Sequence, residues 1–198
     1  MPVPAPALVL LAGALLLPAC GAAAPRWPAR LSTTVHRHEE QGIDYASVGA
    51  MRFELTLASD GTGTALRTTR AADVLETDVH ETDTTVRYEA TVRSVGEHLV
   101  VSLTPEPGSP PIAEAVELDC ERWPIGTRAE SSEVTDASLP GVEWICALPP
   151  GRIFALDRAA VQHVPREGTF LLLGASHDAI VHERVDGGGR EVSTSAGD

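Results

Sequence analysis

The 198-residue chain contains no lysine and no asparagine, so all 15 of its basic residues are arginine. That absence excludes a Schiff-base lysine, a P-loop lysine and a Ser-Lys dyad. Aromatic residues make up only 4% of the chain, so a core must be built mainly from Val, Leu, Ile and Ala. Positive charge is scarce as well: 28 acidic residues outweigh the arginines, the formal net charge is −13, and the arginines do not cluster. A phosphate backbone repels such a surface, and nucleic acid is not an expected partner. Cysteine occurs three times, at Cys20, Cys120 and Cys146, without the C-x-x-C spacing of a redox-active dithiol. Neither a βαβ alternation nor a repeat of about 20–50 residues is visible.

What is present begins with an apolar run over residues 7–17. It is too short to cross a bilayer of about 30 Å as a helix, and Pro2, Pro4, Pro6 and Pro18 argue against a regular buried helix. The length suits the apolar region of a secretory signal peptide. The run ends in Leu17-Pro18-Ala19-Cys20-Gly21, which resembles the lipobox of bacterial lipoproteins. Two features depart from the usual pattern: Pro18 stands where Ala or Ser is commoner, and no basic residue precedes Cys20. The resemblance implies a signal peptide over residues 1–19 and acylation of Cys20, which makes membrane lipid a partner. Each buried acyl CH₂ contributes about 0.8 kcal/mol, and more than one chain gives durable attachment. Residues 20–30, ending in GAAAPRWPAR, read as a flexible tether, small and Pro-bearing. Gly21 after the cysteine favours, by resemblance to enterobacterial sorting, the outer membrane over the inner. The expected location is therefore the cell envelope.

With Cys20 lipidated, Cys120 and Cys146 remain as an even pair, and an oxidising compartment makes a disulfide the expectation. Val116, Leu118 and Cys120 alternate with acidic residues, and Val142, Trp144, Cys146 and Leu148 share the other parity of their segment. Each cysteine thus falls on the apolar face of a strand. Closing that loop stabilises the fold by about 3–4 kcal/mol on the chain-entropy account.

The rest of the chain reads almost entirely as strand. Phe53, Leu55 and Leu57 alternate with Arg52, Glu54 and Thr56; Asp60-Gly61 then gives a hairpin turn before β-branched residues resume at Thr62. Tyr88, Ala90 and Val92, a turn at Gly96-Glu97, and Leu99, Val101 and Leu103 make a second hairpin. Residues 105–111 (PEPGSPP) form a loop. Asp157 is placed to cap a brief helix through Val164, stopped by Pro165, while residues 170–173 and 179–185 read as two further strands. The expected fold is all-β, an antiparallel β-barrel or β-sandwich of about eight strands with one short helix. It occupies residues 31–185 and is followed by a disordered tail over 186–198. The stretch FELTLASDGTGT over residues 53–64 resembles the hairpin of lipocalin-like bacterial lipoproteins.

His36-Arg37-His38-Glu39-Glu40 is the most suggestive chemical cluster. On a strand, His36 and His38 face the same way and could reach one metal. The H-x-H spacing is similar to the start of cupin metal sites, without their flanking glycines or the Glu placed further downstream. A third ligand could come from His80, His98, His163, His177 or His182, and the spacing selects none. Against that stands an exposed polar edge. Ser176-His177-Asp178 is not a nucleophile elbow, because position 178 is not Gly, and it reads as a turn. The first expectation is a non-catalytic, lipid-anchored envelope protein without a cofactor. It would bind an envelope protein or support an envelope structure. The alternatives are a lipocalin-like carrier of a small apolar ligand and a metal-dependent enzyme using His36 and His38.

Overall fold

A computed structural model describes residues 27–41, 45–75, 78–111, 113–123, 139–149, 155–158, 160–161, 164 and 166–198. The signal peptide, Cys20, most of the tether, most of the polar stretch before Pro140, and His163 lie outside the described residues.

The strands follow the chain as β1 (Arg30–Gln41), β2 (Tyr45–Leu57), β3 (Thr62–Leu75), β4 (Asp78–Val95), β5 (His98–Pro105), β6 (Val116–Arg122), β7 (Trp144–Leu148), β8 (Leu156–Asp157), β9 (Thr169–Leu173), β10 (Ala179–Asp186) and β11 (Gly189–Ala196). All eleven belong to one sheet in the order β11-β10-β1-β2-β3-β4-β5-β6-β7-β9-β8, which curls into a half-barrel. The fold is all-β, as the composition and turn spacing imply. Several finer expectations are corrected. Among the described residues there are eleven strands, not about eight, and a single sheet, not a two-sheet sandwich. The ladder is not wholly antiparallel, because β1 and β10 run parallel. Among the described residues there is no helix. Asp157 does accept the Ala160 N–H at 2.8 Å, the capping contact its position predicts, but the described residues directly after it are turn and bend. The tail also differs: residues 189–196 form β11, joined to β10 by a turn at Gly187-Gly188.

The barrel-like half follows from period-two burial. Met51, Phe53, Leu55 and Leu57 of β2, Val86, Tyr88 and Ala90 of β4, and Leu99, Val101 and Leu103 of β5 are all buried. Their neighbours Arg52, Thr56, Arg87 and Glu89 are exposed. The β2–β3 turn works because Gly61 adopts a φ of 86°, while Asp60 accepts the Thr62 N–H at 2.9 Å. The curl is drawn together where Ser32 and Gly174 exchange two backbone hydrogen bonds of 2.9 and 2.8 Å. A Cβ on Gly174 would lie 1.9 Å from the His177 carbonyl oxygen, so no side chain is compatible with that junction. In β9, Phe170, Leu171, Leu172 and Leu173 are all buried. One parity lies with Cys146 and Trp144 across the β7 register, the other with Ile145 and, through β8, Leu156. Both faces of that strand are covered, which explains its continuous apolar run.

Candidate functional site

The first four strands, of 12, 13, 14 and 18 residues, are longer than the strands β5 to β9. Their extra length, with the β10–β11 hairpin alongside, makes a six-stranded wing beyond the core. The residues here alternate without a large apolar set: all of 78–83 are exposed, and β2 enters through small side chains at Ala46, Ser47, Gly49 and Ala50. The outer face of this wing forms an open groove of about 990 Å³.

The register lays out its floor in two rows. One runs Ser193, His182, His36, Ala50, Arg70, Asp83 across β11, β10, β1, β2, β3 and β4. The next runs Glu191, Arg184, His38, Val48, Ala72, Glu81 on the same strands. All twelve line the groove. Ala50, Val48 and Ala72 give a shallow, small-residue centre, and Val48 leaves 45% of its surface exposed. Arg70 Nε reaches Asp83 at 3.2 Å, and Arg184 Nε reaches Asp186 at 3.3 Å. The walls are thus charged and internally balanced.

His36 and His38 do share this face, as their spacing predicts, but they engage different partners. His38 Nε2 lies 2.6 Å from Glu40 Oε1. The His36 ring stacks on His182, with centroids 5.1 Å apart and planes 14° off parallel. Partial burial, and then the neighbouring His182, hold the His36 pKa below its ordinary value. Among the described residues, no group of three or more His, Cys, Asp or Glu could hold a metal ion. His182 is one of the five histidines left open by spacing. Its outward parity is legible from Ala179 and Val181, but its proximity to His36 depends on a parallel pairing between distant segments.

The other candidate residues have structural partners. Cys120 and Cys146 form a disulfide, facing each other in the β6–β7 register across 26 residues of chain. Ser176-His177-Asp178 lies in a bend over 175–177, where the Ala175 and Ser176 N–H groups donate to Glu143 at 3.0 and 2.6 Å. Burial alone would raise the Glu143 pKa, yet these N–H groups hold it below the usual carboxylate range. Asp178 accepts from Ser32 Oγ at 2.6 Å and Arg30 at 2.8 Å, with Glu54 and Arg52 completing a surface cluster. The Ser32 hydroxyl first, and then Arg30 and Arg52, outweigh desolvation and depress the Asp178 pKa. Asp119 and Glu121 flank His98 at 2.9 and 3.0 Å, and Arg166 joins Glu121 at 3.0 Å. Trp144 is core; Trp27, in the segment expected as tether, donates its Nε1–H to the Ala58 carbonyl at 3.1 Å.

Inside the half-barrel, a void of about 50 Å³ is bounded by Met51, Phe53, Arg67, Tyr88, Leu103, Val116, Leu118, Leu148 and Leu171. Ligand sites for small molecules measure about 300–1,000 Å³. Of these two spaces, the outer groove is the one of ligand size. Comparison with protein families, curated proteins and solved structures finds no match to this chain.

Proposed function

We propose that this protein is an exported, lipid-anchored envelope protein whose wing serves as a non-catalytic binding platform, with the outer groove as its ligand face. The observation that carries the binding role is the open groove of about 990 Å³ on the outer face, against about 50 Å³ for the pocket bounded by Met51, Tyr88 and Leu171. The groove has an extended shape, charged walls and a small-residue floor, which suits a polar, extended partner better than a compact apolar molecule. Its side chains include no nucleophile hydrogen-bonded to a base among the described residues, and that favours binding over covalent catalysis. The anchor rests on Leu17-Pro18-Ala19-Cys20 and is consistent with the Cys120–Cys146 disulfide, since such bonds persist in oxidising compartments. The inner pocket, at about 50 Å³, is smaller than the cargo of an apolar carrier.

Two measurements test the reading. Palmitate labelling and membrane fractionation should both be lost in Cys20→Ser; labelling that persists would remove the anchor. A photo-crosslinking side chain at Val48 should capture adducts in whole cells, whereas one at the exposed Val95, outside the groove, should not. Equal capture from both positions, or from neither, would remove the groove as the binding face.

A further inference from the structure

The two stacked histidines stand apart from the rest of the groove. His38 is engaged by Glu40, and His98 by Asp119 and Glu121. No hydrogen bond or ion pair among the described residues engages either the His36 or the His182 ring; each has the other ring as its contact. They are register partners on parallel strands, both on the outer face, so their backbones hold them side by side without any loop. Their row neighbours are small: Ala50 lies beside His36 and Ser193 beside His182. Both rings line the groove.

We propose that His36 and His182 together chelate a late first-row divalent cation, such as Ni²⁺, Cu²⁺ or Zn²⁺, on the floor of the groove. Imidazole nitrogen is a preferred donor for these ions. Two nitrogens each about 2.0–2.1 Å from one ion lie no more than about 4.2 Å apart. The rings are stacked 14° from parallel with centroids 5.1 Å apart, so the exposed side chains must turn out of the stack for their in-plane nitrogens to converge on one ion. Chelation also relieves the pair electrostatically, since two adjacent imidazolium ions repel whereas two neutral rings can share a cation. The charged and titratable groups facing the pair are His38 on β1, Arg184 on β10 and Glu191 on β11, in the adjacent row, with Arg70 and Asp83 further along its own. Two protein ligands do not close a structural site, which takes four. The remaining positions stay open to water or to a donor atom in the groove. The inference needs only the two rings and stands whether or not the groove binds an envelope partner.

The test is calorimetric titration of Ni²⁺ into the full chain, purified in detergent without a His tag. Saturable one-to-one binding is expected, weakened about tenfold or more by His36→Ala and by His182→Ala but unchanged by His38→Ala. Thermal unfolding supplies a second readout. An ion that binds only the folded state raises the Tm, so Ni²⁺ should raise it in the parent and in His38→Ala but not in either variant of the pair. This comparison also shows that each variant is folded. The proposal is overturned if no saturable binding occurs, if both variants of the pair keep full affinity, or if His38→Ala abolishes binding while His36→Ala does not.

Discussion

Glu183 has no exposed side-chain surface, and its partners show how the wing is locked to the core. Arg37 Nε donates to Glu183 Oε2 at 2.5 Å. Arg190 Nε lies 3.1 Å from Oε1 as an ion-pair contact, without the alignment of a hydrogen bond. Arg190 also pairs with Asp157 at the end of β8. One buried carboxylate therefore ties β1, β10 and β11 to the opposite arm of the sheet. Removing one member of a buried ion pair costs about 3–5 kcal/mol, because the remaining charges lose their compensation. Both arginines here keep partial access to water, which places Glu183→Ala near 3 kcal/mol, read as a lower urea midpoint. Glu54, paired with Arg30 and Arg52 at the surface, should cost less than about 1 kcal/mol on truncation. Equal losses at the two positions would contradict this assignment. In the sequence both are simply Glu on an alternating strand, and only the packing of β8 against the wing distinguishes them.

At the scale of elements, the strands legible in the sequence are those with one wet face and one dry face. Phe53, Leu55 and Leu57, and likewise Leu99, Val101 and Leu103, announce their strands because alternate side chains enter the core. The wing offers no such pattern. Residues 78–83 and most of β11 are exposed on both faces, so the ladder holds them and side-chain burial does not. This explains why a tail rich in Gly, Ser and Thr is a strand, and why the polar run from His36 to Glu40 continues β1. The parallel partnership of β1 and β10 is illegible for a different reason: register between distant segments leaves no local periodicity. The candidate site shared that fate, with the outward parity of His36, His38 and His182 readable and their association not. β11 contributes Arg190 to the Glu183 cluster and covers the edge of β10. Truncation after residue 187 should therefore lower stability by at least as much as Glu183→Ala and raise aggregation through the newly open edge. Cys146→Ser should cost about 3–4 kcal/mol from the freed loop, measured against the parent under non-reducing conditions. A variant as stable as the parent would show that the ladder alone holds β6 to β7.

For the whole molecule, charge predicts how the fold answers to acid. With a net charge of −13, moderate acidification relieves general repulsion, and a simple polyanion would gain stability as pH falls toward neutrality of charge. The specific groups oppose that trend. His36 has a folded pKa lowered from 6.5, so the unfolded chain binds its proton first. Its contribution is fully present above about pH 6.5 and is lost as pH falls toward the folded value. Asp178 and Glu54 are lowered from 3.8 and 4.5, Asp178 chiefly by the Ser32 hydroxyl and Glu54 chiefly by Arg52. Their contribution is complete above those ordinary values and is lost as pH falls below them. Stability plotted against pH should therefore fall in two separated windows, one beginning near 6.5 and one below about 4.5. His182→Gln, by removing a like charge from beside His36, should narrow the upper window, which burial of His36 still sustains, and leave the lower one intact. Ser32→Ala should weaken the lower window and leave the upper one. A single acid transition insensitive to both substitutions would mean that general repulsion, and not these two clusters, governs the acid response.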